Sequence, residues 1–303
     1  MRLVHWRELD SRAFQDIWHT LSRRWAERLS WDNTSTWRTI ETQRQAGSLP
    51  GLALVDNQRV LGWSYFGVHR ETLQIGGLEA QTESLTQQLV DALLDVAEPD
   101  IAPAGVMCFA FSDAPGLEEA LRTRGFTVDR YLYLSRNLAG ESAAVVDPDW
   151  DRRVAVLMPG LLERAYGPPE VTRPFARQGH PDEWREYVGQ VLGANACGQF
   201  EPRLSAARLS DLGDLDGAVV TTVIGPGAAH IAQVAVRPER RGHGLASAML
   251  HDVIARASAD GFASLSLLVN EHNTVARRLY ESLGFQGAEH FVSAGRGVAI
   301  PHA

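Results

Sequence analysis

Cysteine is almost missing from these 303 residues. Cys108 and Cys197 stand in separate halves, fit no metal or redox spacing, and read as small buried apolar residues of a reducing compartment. No stretch approaches the roughly 18 uncharged apolar residues of a membrane-spanning helix. The start, Met-Arg-Leu-Val-His-Trp, is too charged for a signal peptide. A basic excess is lacking too: the formal charge is −8, which argues against nucleic acid as a partner and leaves room for a cationic substrate. What remains is a cytoplasmic globular protein with no membrane partner. Its 45% hydrophobic content supports a core for one large or two ordinary domains.

The most informative stretch is residues 230–250. Ile231, Val234 and Val236 mark a strand, Pro238 ends it, and Arg241-Gly242-His243-Gly244 forms a short cationic turn. From Leu245 the apolar residues recur with helical spacing at Met249, Leu250, Val253 and Ile254. A helix that starts after glycines offers free backbone N–H groups and the positive end of its dipole, so an anion fits here. A P-loop would need a lysine after the glycines, and none follows. Gly242, Gly244 and Ser247 match a dinucleotide fingerprint only loosely, and the 59 residues after Gly244 are too few for most of that fold.

The rest of the chain reads as a duplication. Leu52–Val68 is a hairpin around Asp56-Asn57, Gly105–Phe111 a buried strand, Leu117–Arg124 a helix and Tyr131–Leu134 a strand. Five of the eight tryptophans lie in the first 37 residues, as expected of two helices packed on a sheet. Helices at Val154–Tyr166 and His180–Leu192, hairpin strands at Leu204–Leu209 and Ala218–Ile224, a strand at Ser264–Asn270 and a helix at Thr274–Leu283 then repeat the order. Aligning Gly125-Phe126 with Gly284-Phe285 gives an offset of 159 residues. The expected organisation is a first unit over 1–139, a linker over 140–150 and a second unit over 151–303. The copies differ where chemistry would sit. Ala80–Leu85, opposite the glycine turn, has no glycine and carries Glu83, which would repel an anion.

Two motifs occur in order: Arg241-x-x-Gly244-x-Ala246, and Asn273-x-x-Ala276-x-x-Leu279-Tyr280-x-x-x-Gly284-Phe285. Together they resemble the GCN5-related N-acetyltransferase (GNAT) superfamily, and the layout is similar to its tandem members. The resemblance covers the second half strongly and the first half as a degenerate copy. It implies an α/β (α+β) fold of two tandem domains, each a mixed, mostly antiparallel sheet flanked by helices.

It further implies acetyl-CoA as cofactor and acetyl transfer to a small-molecule primary amine by direct attack on the thioester. By this resemblance Val234, Ala235 and Val236 would pair with the pantetheine amides. The N–H groups of Gly242, His243, Gly244, Leu245 and Ala246 would hold the pyrophosphate beside Arg241, with Arg237, Arg240, Arg277 and Arg278 near the outer phosphates. Asn273 would bond the cofactor arm or cap its helix, and Tyr280 would protonate the leaving thiolate. Many relatives carry a carboxylate base on the strand before the turn; here His230 and Gln233 are the polar options, with a water relay or an already neutral amine left open. The alternatives are a non-catalytic acyl-CoA-binding or partner-binding module and a protein N-terminal acetyltransferase. One cofactor per chain and a monomer are expected, the second copy standing in for a dimer partner.

Overall fold

The computed structural model describes residues 1–57, 59–101, 105–140, 148–193 and 197–297. The central part of the expected linker, 141–147, lies outside them. The first half runs β1 (Arg2–His5), α1 (Ser11–Leu29), α2 (Thr34–Ala46), β2 (Gly51–Asp56), β3 (Arg59–His69), β4 (Thr72–Ala80), α3 (Glu83–Ile101), β5 (Gly105–Ala110), α4 (Leu117–Thr123) and β6 (Thr127–Asn137). The second half repeats this plan with one extra short strand: α5 (Arg152–Tyr166), α6 (Pro181–Gly193), β7 (Gln199–Phe200), β8 (Ala206–Leu209), β9 (Leu215–Gly225), β10 (Ala228–Val236), α7 (Leu245–Ala259), β11 (Ser264–Asn270), α8 (Thr274–Ser282) and β12 (Gln286–Arg296). The 159-residue offset carries both ends of β6 onto both ends of β12.

Local chemistry starts the helices. Asp10 accepts from the Arg12 N–H, Asp151 from those of Arg153 and Val154, and Asn273 from that of Ala276. Among the described residues no helix is long and apolar enough to cross a membrane.

All described strands join one mixed sheet in the order β1-β2-β3-β4-β5-β12-β6-β11-β10-β9-β7, with β8 also on β9. Only β4–β5 and β10–β11 are parallel. The halves exchange their last strands: β12 pairs with β5 of the first half, and β6 pairs with β11 of the second. Where β6 meets β12, Tyr131 faces Phe291 and Leu132 faces His290. Under the offset each of these is the other's counterpart, so the contact is self-complementary, as across a dimer two-fold.

Helices α1 and α2 bury Phe14, Trp18, Trp37 and Ile40 against Ala53, Val55 and Trp63 of β2 and β3. Helices α5 and α6 cover Ala218, Val220 and Ala235 on the same face of the sheet. On the other face α3 and α4 pack over the first half and α7 and α8 over the second. Between the two helix pairs of the first face lies a smaller aromatic cluster. Leu29, Phe111, Tyr133 and Phe291 are buried there, whereas Trp25, Trp31, Phe109, Tyr131 and Leu268 stay partly exposed. Trp25 and Trp31 therefore belong to a cleft wall, while Trp6, Trp18 and Trp37 are core.

Candidate active site

The parallel pair β10–β11 holds together only from Ala228–Ile231 against Ser264–Leu267. Beyond that the strands diverge, while β10 keeps its antiparallel partner β9 as far as Val236. The backbone edge of Ala232–Val236 that faces away from β9 therefore has no strand partner. The register against β9 slips between Ile231 and Gln233, leaving Ala232 as an extra residue. One extra residue reverses which face each later side chain takes. Ala229 and Ile231 pack under α7, but Gln233 and Ala235 turn to the α5–α6 face.

Along this free edge β10 leads to the glycine turn. Gly242 (φ +78°) and Gly244 (φ +75°) both occupy the left-handed region, where a side chain is strained. Gly244 is the N-cap residue of the 15-residue α7, and no side chain caps the helix. The first N–H groups of α7 are thus left for another acceptor. Arg241 folds back instead of pointing over the turn: its Nη2 donates to the Ala165 carbonyl (2.5 Å) and its Nε to that of Val236 (3.3 Å). The His243 ring nitrogen Nδ1 lies 2.8 Å from the Arg241 carbonyl. Arg237 and Arg240 share Asp216 at 3.5 and 3.1 Å. Arg277 donates to the Glu271 carbonyl (3.1 Å) and lies 3.6 Å from Glu281 on its own helix. Asn273 caps α8 through Oδ1, 3.1 Å from the Ala276 nitrogen.

Tyr280 is buried under the diverging strands with its ring edge toward Phe285, and burial pushes its hydroxyl pKa above the ordinary tyrosine value. It lies in the electrostatic range of Tyr166, at the end of α5. Tyr166 donates to Oε1 of Gln233 at 3.0 Å, and burial drives its own pKa up to about 12. Nε2 of Gln233 is buried without a partner. Tyr131 of β6 lies opposite Asn270 of β11, and its pKa is raised, first by burial and then by nearby Glu170. Four polar groups from α5, β10, β6 and α8 thus gather where the sheet opens.

His230 corrects its expectation. It is not a solvated strand-end residue but is 3% exposed, with Nδ1 2.9 Å from Ser266 Oγ and its ring between Trp31 and Tyr133. Burial lowers its pKa to about 3. An imidazole held neutral in a closed aromatic stack suits packing, not proton transfer. Sequence reasoning missed Tyr166, Tyr131 and Glu170 altogether. The one available signal was Gln233, a polar residue inside an apolar strand.

The same gap in the first half is filled. Strands β4 and β5 also pair for only four residues, Thr72–Ile75 against Gly105–Cys108. Arg24 then bridges the gap, ion-paired to Glu79 on one side and donating to Asp113 (3.0 Å) and the Phe111 carbonyl (3.5 Å) on the other. Ser112 Oγ donates to the Leu78 carbonyl. At the start of α3, Thr82 Oγ1 already takes the Leu85 N–H (3.3 Å), beside the acidic Glu83.

Residues 170–285 match the family model described as acetyltransferase (GNAT) family. A mycothiol acetyltransferase from Kocuria rhizophila is 28% identical over 191 residues, 60% of this chain and 62% of that protein, so the match spans less than two thirds of the curated relative. The fold is similar to a GCN5-related N-acetyltransferase from Sphaerobacter thermophilus (TM-score 0.61, 18% identity, 81% of this chain and 80% of that one). It is also similar to a tandem GNAT protein from the clavulanic acid biosynthesis pathway (TM-score 0.51, 14% identity, 82% of each chain). The fold is thus that of an acetyltransferase built from two copies of one unit. The chain belongs to the GNAT superfamily.

Proposed function

We propose that the chain is an acetyl-CoA-dependent N-acetyltransferase for a small-molecule primary amine, with its single active site in the second half. The observation that carries this reading is the unpaired edge of Ala232–Val236 running straight into the uncapped start of α7. The unsatisfied strand edge suits the amides of a pantetheine arm, and the free N–H groups of Leu245 and Ala246 suit a pyrophosphate. The corresponding gap of the first half is occupied by Arg24, Glu79 and Ser112, so one cofactor per chain is the reading.

Bound acetyl-CoA would supply the reactive thioester. Around it, the N–H near Val234 would donate to the developing oxyanion, and Tyr280 would hold a proton for the leaving sulfur. Its raised pKa keeps that proton in place. Asn273 and Arg241 would act mainly by fixing the ends of α8 and α5 that frame the turn. The first half would complete the acceptor cleft through Trp31, Phe109 and Tyr131. A thermal-shift titration with acetyl-CoA, followed by thiol release over an amine panel, tests this. Stabilisation together with turnover is expected. Absence of stabilisation would sink the cofactor assignment, and stabilisation without turnover would favour a binding module.

A further inference from the structure

The cleft floor carries a carboxylate that is short of a cation. The Glu41, Glu79, Glu118 and Asp216 side chains are 7–18% exposed, and each faces at least one arginine. Asp129 is as buried, at 18%, and faces none. It accepts from Thr172 Oγ1 (2.5 Å) and Asn270 Nδ2 (3.3 Å). Its one cationic neighbour is His272 at 3.4 Å, which is 72% exposed and shared with Glu271. A buried carboxylate normally has its charge paired.

Its position gives this deficit a meaning. Asp129 lies on the exchanged strand β6, two residues before Tyr131, and so on the same face of the sheet. It sits four residues along β6 from Tyr133, which faces Leu268, the first β11 residue beyond the parallel pairing with β10. Four steps of strand span about 13 Å. Between the two points lies the partly exposed ring of Tyr131, with the Phe109 ring edge-on to it at 5.8 Å. Glu170 adds negative charge nearby. The arginines of the covering loop do not neutralise Asp129. Arg173 is spent on the carbonyls of Pro168, Phe175 and Ala176, and Arg177 lies over Gly295.

We propose that Asp129 receives a second, non-reacting ammonium of the acceptor, so that the preferred acceptors are long α,ω-diamines whose alkyl chain lies across Tyr131 and Phe109. This rests on the acetyltransferase reading above. The distal nitrogen stays charged and bound at Asp129, and the other, reaching the divergence of β10 and β11, is the one acylated.

The experiment compares 1,8-diaminooctane with 8-amino-1-octanol, which keeps the reacting amine and replaces the distal charge by a hydroxyl. In the wild-type protein the diamine should have a kcat/KM at least tenfold higher, through KM. Asp129→Asn should bring that ratio toward one by raising the diamine KM, and Asp129→Glu should restore part of it. A ratio near one in the wild type, or one kept in Asp129→Asn, would overturn the proposal. Calorimetric titration of the wild-type chain with CoA present gives a readout that needs neither turnover nor a variant. Tighter binding of the diamine supports the proposal, and equal binding overturns it even if acetyl-CoA binds and other amines react. All 29 basic Lys/Arg positions are arginine, so thiol release cannot come from acetylation of the protein's own lysines.

Discussion

The Tyr166 hydroxyl donates to Oε1 of Gln233 across 3.0 Å, tying the last residue of α5 to the residue that follows the bulge of β10. With the oxygen so engaged, the amide nitrogen of Gln233 has one orientation, and it is buried without a partner. Tyr166→Phe releases the amide. The expected stability loss in urea unfolding is about 0.5–1.5 kcal/mol, one hydrogen bond. Activity toward the amine should fall several-fold while acetyl-CoA affinity changes little. An unchanged rate would show that the pair only packs.

Gly244 tests the turn. Its φ of +75° is strained for any L side chain, although a Cβ there would meet nothing within 4 Å. Gly244→Ala should cost about 1–2 kcal/mol of stability from backbone strain alone. It should also weaken the thermal shift given by acetyl-CoA, because relief of that strain moves the first N–H groups of α7. A full cofactor shift in the variant would separate the turn from binding.

Tyr280→Phe should lower turnover on the order of 10²-fold with little change in acetyl-CoA affinity. Burial raises the Tyr280 pKa, so the acid form persists beyond the ordinary value of about 10. The pH–rate profile should therefore show no alkaline limb below that value. A limb near pH 8 that disappears in Tyr280→Phe would contradict the assignment.

His230 links folding to pH. Its folded pKa of about 3 lies below the unfolded value of about 6.5, so the unfolded chain binds the extra proton. The neutral residue's contribution is complete above pH 6.5 and is lost as pH falls toward 3, at up to about 1.4 kcal/mol per pH unit. Denaturant unfolding of the wild type and His230→Asn across pH 7 to 4 should show a shallower slope in the variant. Equal slopes would place the proton elsewhere.

Arg24 and Glu79 form a partly buried pair, 14% and 18% exposed. Arg24→Met should destabilise by about 3–5 kcal/mol, since it strands the carboxylate. It should not create a second cofactor site, because Thr82 and Glu83 still close the start of α3. Equilibrium titration with acetyl-CoA should give one site per chain before and after.

The features legible from sequence were local ones. The strand at Ser264–Asn270, the glycine turn and the paired helix ends follow from residues a few positions apart. The offset of 159 residues likewise needed only Gly-Phe at two helix ends. Strand exchange was illegible for the same reason that the duplication was legible. Two copies of one strand fit either slot, and the choice depends on pairings such as Val106 with Arg296, far apart in the chain. The bulge at Ala232 carried no signal, because Ala-Gln-Val-Ala-Val continues a plain strand pattern without a glycine. Tyr166 and Glu170 flank Gly167-Pro-Pro, a stretch without periodicity, and only the fold brings them to Gln233 and Tyr131.

The exchange of β6 and β12 also sets a schedule. During synthesis the first half emerges with β5 and β6 made but not yet joined, because the strand between them is residues 286–296, close to the last to leave the ribosome. Domain-by-domain folding from the N-terminus is the usual economy of long chains. Here it is denied: the central pairings of the sheet wait for nearly the whole chain, and until then the edge of β5 is open to any strand that meets it.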